Sequence, residues 1–290
     1  MAPSTPPLLA SRVTLPNGLA IPQVQLGLYM MSGVEAKRAI PWALSVGYRA
    51  FDCAQMYDNE AEAGGAITKF LSSSANNTTG LTRQDIFYTS KLASNSDSYD
   101  SVRRSIRRSV DVCGLGYIDL FLLHSPYGGR HARLESWRAV EDSIDAGEIR
   151  MGGVSNYGVK HINELVASNP RIKPVINQIE VHPFNTQTAI RETCAANNIV
   201  IEAYAPLARG MRMRHPTIVQ LAGKYTCSPA QLFVRWSLQH DMVTLPKSTK
   251  RERLVENASV DWFEISAEDM AVLDGLDEKL VTDWDPTDAA

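Results

Sequence analysis

Eight times in succession, a short apolar run of four to seven residues gives way to a longer segment of helical period. The runs cover 24–27, 48–52, 86–91, 118–124, 149–154, 175–179, 199–204 and 242–245. The helical segments after them cover 34–45, 60–71, 100–113, 134–146, 160–167, 186–197, 217–224 with 229–240, and 250–257. Most of the runs are continuously apolar, the pattern of strands buried on both faces of a parallel sheet. Eight βα units in series favour a closed barrel over an open sheet, so the spacing predicts an α/β fold, a (β/α)8 TIM barrel. Ahead of it, Asn17-Gly18 between residues 12–15 and 19–22 predicts an N-terminal β-hairpin, because both turn residues tolerate positive φ. An extra helix over 267–276 and a tail over 283–290 lie outside the series. A length of 290 residues suits one such barrel. We therefore expect a flexible Pro- and Ser-rich leader over 1–11 and a single barrel domain over 12–290.

Composition narrows the partners. A net charge of −3 argues against nucleic acid or an anionic membrane as partner. Residues 1–11 carry no basic n-region and no long apolar core, so no signal peptide is expected there. No stretch reaches the ~20 apolar residues of a membrane helix. Cys53, Cys113, Cys194 and Cys227 lie far apart without a C-x-x-C pair, which argues against a zinc site and a disulfide framework. Reduced thiols of a cytoplasmic protein are the expectation, with no metal.

In such barrels chemistry gathers at the C-terminal ends of the strands. The successive runs end at or lead into Asp52, Lys91, His124, Ser155-Asn156, Gln178, Tyr204 and Lys247-Ser248, and Tyr57 follows Asp52 in its loop. Each has a plainer reading alone. Asp52 suits a turn, Lys91 a solvated surface, His124 a structural hydrogen bond, Tyr57 and Tyr204 simple packing. Seven consecutive strands delivering polar or aromatic groups to one rim favour the functional reading. The chemistry is then specific. A phenol with a pKa near 10 is a poor acid at neutral pH. A lysine ammonium beside it lowers that value, an aspartate holds the lysine, and a histidine places a substrate oxygen on the phenol. The set suits proton transfer to a carbonyl. No side chain supplies the hydride, which implies a nicotinamide cofactor.

These residues resemble the aldo-keto reductase family. Gly47-Tyr48-Arg49-Ala50-Phe51-Asp52-Cys53-Ala54-Gln55-Met56-Tyr57-Asp58-Asn59-Glu60 is similar to its G-Y-R-x-[IF]-D-T-A-x-x-Y-x-N-E signature. Gly153-Val154-Ser155-Asn156-Tyr157, Asn177-Gln178-Ile179-Glu180-Val181-His182-Pro183 and Leu245-Pro246-Lys247-Ser248 with Arg253, Glu256 and Asn257 resemble three further family motifs. The resemblance spans about residues 12–286. It implies an NADPH-dependent reductase acting on a small carbonyl substrate, monomeric, with a tetrad of Tyr57, Asp52, Lys91 and His124. It implies Ser155, Asn156 and Gln178 on the nicotinamide carboxamide, Tyr204 against its ring, and Pro206 and Leu207 in the loop over the pyrophosphate. Lys247, Ser248, Thr249 and Arg253 then form the 2′-phosphate pocket of NADP+, and Glu256 and Asn257 the adenine contacts. Two permanent cations and a hydroxyl at a helix start suit a phosphate on physical grounds also. Tyr29, Tyr57, His124 and Tyr127 would line the substrate pocket. Arg209, Arg212 and Arg214, in the short loop after Tyr204, are open to cofactor pyrophosphate, acidic substrate or solvent. Cys53 stands at a common threonine, Ala205 at a common serine, and Leu28-Tyr29 at a common Thr-Trp pair.

Two other readings stay open. One is an NADP(H)-sensing regulatory subunit on the same barrel, which would not turn over a test aldehyde. The other is a barrel hydrolase or isomerase, which requires acids at adjacent strand ends, where Asp52 has Lys91 and His124 beside it. Gly114-Leu115-Gly116 does not compete as a dinucleotide fingerprint, because Asp119 occupies the third glycine position and a strand follows.

Overall fold

The computed structural model describes Leu9 and residues 11–290. The hairpin pairs β1 (Arg12–Thr14) with β2 (Ala20–Pro22), antiparallel. Its turn differs from the expected two-residue form. Gly18 alone takes positive φ, at 81°, and Asn17 does not. Pro16 sets the first φ of a turn closed by Gly18 N to Leu15 O at 2.9 Å, and Leu15 N reaches Leu19 O at 2.7 Å. The result is a three-residue loop ending in a left-handed glycine. The leader expected over 1–11 falls mainly on residues 1–8 and 10, outside the described residues; Leu9 is buried in the core.

Eight strands follow: β3 (Leu26–Gly27), β4 (Ala50–Asp52), β5 (Phe87–Leu92), β6 (Ile118–Leu123), β7 (Ile149–Ser155), β8 (Ile176–Glu180), β9 (Val200–Tyr204) and β10 (Val243–Thr244). Each pairs in parallel with the next in chain order. A bridge between Val24 and Thr244 joins the two ends, with Thr244 N to Gln23 O at 2.9 Å and Gln25 N to Thr244 O at 3.0 Å, so the sheet closes. The ladders are shortest at this seam, and β3 and β10 keep only two residues each of the four-residue runs.

The intervening helices are α1 (Gly33–Val46), α2 (Glu60–Leu71), α3 (Tyr99–Cys113), α4 (Gly129–Asp145), α5 (Val159–Ala167), α6 (Thr188–Ala196), α7 (Pro216–Lys224), α8 (Pro229–Gln239) and α9 (Arg251–Ala258), with α10 (Ala267–Asp274) beyond the barrel. Local chemistry sets several starts. Ser32 and Glu35 form a reciprocal capping box on α1, and Ser228 and Gln231 one on α8. Helix α4 begins five residues before the expected 134. Gly128 and Gly129, both at positive φ, turn the chain directly into it. Its first turn carries Arg130, His131 and Arg133, and polar residues there hid the start from an apolar periodicity. Among the described residues no helix is long and apolar enough to cross a membrane.

Alternate strand residues face the barrel interior. One cluster there joins Ala50, Phe87, Leu120, Met151, Ile176 and Val243 to Leu15 and Ile21 of the hairpin, which plugs the barrel's N-terminal end. The larger core fills the layer between strands and helices. Helices α2 and α3 pack closely because Gly64 has no side chain. A Cβ on it would lie 1.7 Å from the carbonyl oxygen of Cys113. We predict that Gly64→Ala forces the two helices apart and costs about 1–3 kcal/mol or more, read as a lowered urea midpoint at unchanged slope.

Candidate active site

Lys91 sits on β5 with no exposed surface, and its stem carries the ammonium to the C-terminal end of the barrel. All three of its N–H donors are engaged: Asp52 Oδ1 at 2.6 Å, the carbonyl of Cys53 at 2.9 Å and the Tyr57 hydroxyl at 3.0 Å. Tyr57 lies in a single 3₁₀ turn, Gln55–Tyr57, after β4. The Gln55 side chain fixes that turn, accepting from Ala93 N at 2.8 Å and donating to Ser105 Oγ and Ser109 Oγ at 2.9 Å each. Asn59 ties the far side, donating to the carbonyls of Leu28 and Met31 at 3.1 and 2.9 Å. The Cys53 thiol donates to Asn59 Oδ1 at 3.0 Å, so the cysteine keeps a donor at this position. His124 stands edge-on to Tyr57, ring centroids 5.7 Å apart. The four residues expected as a tetrad are therefore adjacent.

Charge states follow from burial. Burial pulls the Lys91 ammonium toward neutrality, but Asp52 and Tyr57 outweigh it and hold its pKa above the ordinary lysine value. The Tyr57 hydroxyl departs from the expectation of a lowered pKa. Burial pushes it well above the usual phenol value, Lys91 pulls it down against this, and Asp52 pushes it up. Tyr57 thus keeps its proton across the neutral range, and the ammonium moderates the rise. His124 is pushed down to about 3, first by burial and then by Lys91, so its ring is neutral.

Ser155, Asn156, Gln178 and Tyr204 form one web with this group. Ser155 Oγ donates to the Gln178 carbonyl at 2.9 Å, and Asn156 Nδ2 to the His124 carbonyl at 3.0 Å. The Tyr204 hydroxyl donates to Asn156 Oδ1 at 2.9 Å. Asn156 takes φ 61°, which aims its amide into the web. Gln178 Nε2 donates to Asp52 Oδ2 and to Glu202 Oε2, at 2.8 Å each. Glu202 and its neighbour Gln25 were not among the sequence candidates. A signal existed: Glu202 interrupts an apolar run two residues before Tyr204 and so faces the same way.

An aromatic wall surrounds the Tyr57 hydroxyl. Tyr29 lies 5.0 Å from the Tyr57 ring, and Trp284 lies 6.1 Å from His124 and 5.8 Å from Tyr127. Trp284 belongs to the tail, which folds back over the site although it follows the barrel series. Thr282 bonds to Glu180 at the end of β8 through both its N–H and its hydroxyl. Further along, Lys160 Nζ donates to the Asp288 carbonyl at 2.7 Å, His161 Nε2 to that of Ala289 at 2.8 Å and Arg133 to that of Ala290 at 2.9 Å. Arg209 pairs with Asp283 at 2.7 Å and stacks on Tyr29 at 5.4 Å, while Arg212 pairs with Glu278 at 2.7 Å. Arg209 therefore holds the start of the tail and Arg212 the segment just before it, and Arg214 is exposed.

Around the start of α9, Lys247 and Arg253 are exposed and have no acid within ion-pair distance among the described residues. Ser248 is buried, with its hydroxyl on Lys250 N at 3.1 Å; Thr249 and Glu256 are half-buried and Asn257 is buried. Pro206 and Leu207 precede a 3₁₀ turn, Ala208–Gly210, with left-handed Ala205 before it and left-handed Ala208 and Arg209 within it.

His124 predicts an acid limb to stability. Unfolded, it binds a proton below about 6.5; folded, only below about 3. Its contribution is present above the first value and is lost as pH falls through the second. Replacement by Gln should flatten the loss of stability across this window, by up to about 1.4 kcal/mol per pH unit, measured as urea midpoints against pH.

The model of the aldo/keto reductase family matches residues 24–278. An uncharacterised oxidoreductase of Schizosaccharomyces pombe is 46% identical over 279 residues, covering 96% of this chain and 98% of the relative. A glyoxal reductase of Bacillus subtilis is 37% identical, covering 94% of this chain and 95% of its own. Among solved structures, a Bombyx mori aldo-keto reductase in complex with NADP superposes with a TM-score of 0.86 at 32% identity, covering 94% of each chain.

Proposed function

Because this chain belongs to the aldo/keto reductase family, we propose that it reduces an aldehyde or ketone to the alcohol with NADPH, and that Tyr57 gives the proton to the carbonyl oxygen. The observation that carries this reading is the Lys91 ammonium held between Asp52 Oδ1 at 2.6 Å and the Tyr57 hydroxyl at 3.0 Å. The NADP complex of the silkworm structure and the glyoxal reductase relative support it.

The residues present fit the cofactor. Both Gln178 amide hydrogens are engaged by carboxyl groups, so its Oε1, which accepts from no donor among the described residues, is left for a carboxamide N–H. Ser155 and Asn156 border the same place, and the half-buried Tyr204 ring supplies a face for the nicotinamide. At the start of α9, Lys247 and Arg253, free of acids among the described residues, with Ser248 and Thr249, suit the 2′-phosphate that distinguishes NADPH from NADH. Glu256 and Asn257 would meet the adenine, and Pro206 and Leu207 the pyrophosphate, with Arg209 beside them already paired to Asp283. When bound, NADPH supplies a hydride to the carbonyl carbon.

The chain's own residues do the rest. Tyr29, Tyr127 and Trp284 wall the substrate and limit water. Neutral His124 has one ring N–H to offer the carbonyl oxygen and no second proton to lose. Tyr57 enters the cycle protonated, and a nascent alkoxide is the stronger base, so the transfer runs downhill. Lys91 steadies the phenolate left behind, and Asp52 keeps Lys91 charged. An assembled acid beside a buried ammonium favours the reductase over a regulatory subunit, and the strand ends next to Asp52 carry Lys91 and His124 in place of the paired carboxylate that a hydrolase reading needs.

Tyr57→Phe should keep NADPH affinity, measured by fluorescence quenching, while kcat for a test aldehyde falls at least ~10²-fold; activity within a few-fold of the parent would refute the acid role. Arg253→Ala should weaken NADPH by roughly 10- to 100-fold, the worth of a charge-assisted bond to phosphate, and NADH far less. Equal losses for the two cofactors would move the 2′-phosphate elsewhere.

A further inference from the structure

The barrel interior beneath the tetrad holds a second carboxyl group. Glu202 on β9 has no exposed surface and shares the Gln178 amide with Asp52, at 2.8 Å on each side. The groups around it come from every neighbouring element: Asp52 of β4, Lys91 of β5 with Tyr57 beyond it, Gln178 of β8, Val243 of β10 and Gln25 ahead of β3. Of these only Asp52, Lys91 and Tyr57 titrate. Lys91 is the one cation, and its three N–H donors already go to Asp52, Cys53 and Tyr57. One ammonium therefore faces two carboxyl groups in a site closed to solvent, and a second buried negative charge there would have no partner.

Two orphaned atoms point the same way. Glu202 Oε1 and Gln25 Oε1 are both buried without a hydrogen-bond partner, and the two side chains lie together. A carboxylic proton on Glu202 would bring a donor to this pair of unpartnered oxygens. Burial and then the Asp52 charge push the Glu202 carboxyl up to about 8, outweighing Gln178, Lys91 and Gln25, which favour the anion.

We propose that Glu202 is a neutral carboxylic acid that positions Gln178 for the cofactor and, while it keeps its proton, leaves the Asp52–Lys91–Tyr57 chain with a single negative charge beneath it. It touches neither substrate nor cofactor; it acts through Gln178 and through its field. Loss of its proton to solvent sets a second anion behind Lys91, raises the affinity of Tyr57 for its own proton and slows the transfer. Its catalytic consequence rests on the reductase reading above; its protonation does not.

Glu202→Gln tests both parts. A glutamine accepts from Gln178 and donates to Gln25 at every pH. In the parent protein the folded state holds a proton that the unfolded state releases between pH 4.5 and about 8. Its stability should therefore fall through that window relative to the variant, and the gap in melting temperature should widen in the variant's favour as pH rises. In single-turnover NADPH oxidation with an aldehyde, the parent rate should drop about 3-fold as pH passes the Glu202 pKa, and the variant should lose that step. Glu202→Met, likewise uncharged, gives the same two readouts should the glutamine variant fold poorly. A stability gap independent of pH overturns the proton assignment. An unchanged step in the variant overturns the link to Tyr57. A widening gap in a protein that reduces no carbonyl would sink the reductase reading and leave the protonated Glu202 standing.

Discussion

An ammonium enclosed in a barrel forfeits hydration worth several kcal/mol, and only well-placed anions and acceptors make that tolerable. Lys91 is such a group, with no exposed surface. The arrangement of the site follows from satisfying it. Asp52 supplies charge, the Cys53 carbonyl and the Tyr57 hydroxyl supply acceptors, and Gln178 steadies the other carboxylate oxygen. Removing Asp52 would leave an unpaired buried cation, a fault of about 3–5 kcal/mol in comparable cases. The pair is thus a poor source of stability and a good source of field. It keeps a positive charge beside a phenol in a place where water cannot screen it.

Around that pair, each residue proposed to face the cofactor is oriented by a bond to a neighbouring group. Gln178 is held by two carboxyl groups, Asn156 by Tyr204 and the His124 backbone, and Ser155 by the Gln178 carbonyl. Some of this order is strained. Asn156, Ala205, Ala208 and Arg209 all take left-handed φ, which costs a non-glycine residue on the order of 1 kcal/mol each. They gather on the loops after β7 and β9, where the backbone turns sharply beside the Tyr204 and Asn156 side chains.

The alternation of apolar run and helical segment was enough to read the barrel, because strands buried on both faces leave an unbroken apolar signature. Strand ends then pointed to Asp52, Lys91 and His124, since inward parity carries polar residues to the rim. Three things escaped for physical reasons. The seam strands β3 and β10 shrank because closure needs only a few backbone bonds, which side-chain pattern does not encode. The sign of the Tyr57 shift was missed because distance from water, not the nearest charge, dominates it. Trp284 was missed because its place depends on Glu180, Lys160, His161 and Arg133, all far away in sequence. Glu202 was readable by parity with Tyr204 and was passed over as part of a strand.

The tail that brings Trp284 to the pocket is tied at both ends to groups outside the proton chain: Glu180 at one side, the start of α5 and Arg133 of α4 at the other. Between these ties Asp283 pairs with Arg209 and the Thr287 carbonyl packs against Gly158, so the tail is fixed by side chains and loops and pairs with no strand among the described residues. The aromatic face it brings to the site is therefore held by contacts separate from those that hold Lys91. Of the aromatic rings around Tyr57, Trp284 is thus the one whose place is set by the chain beyond the barrel, while Tyr29 and Tyr127 are set by the barrel loops.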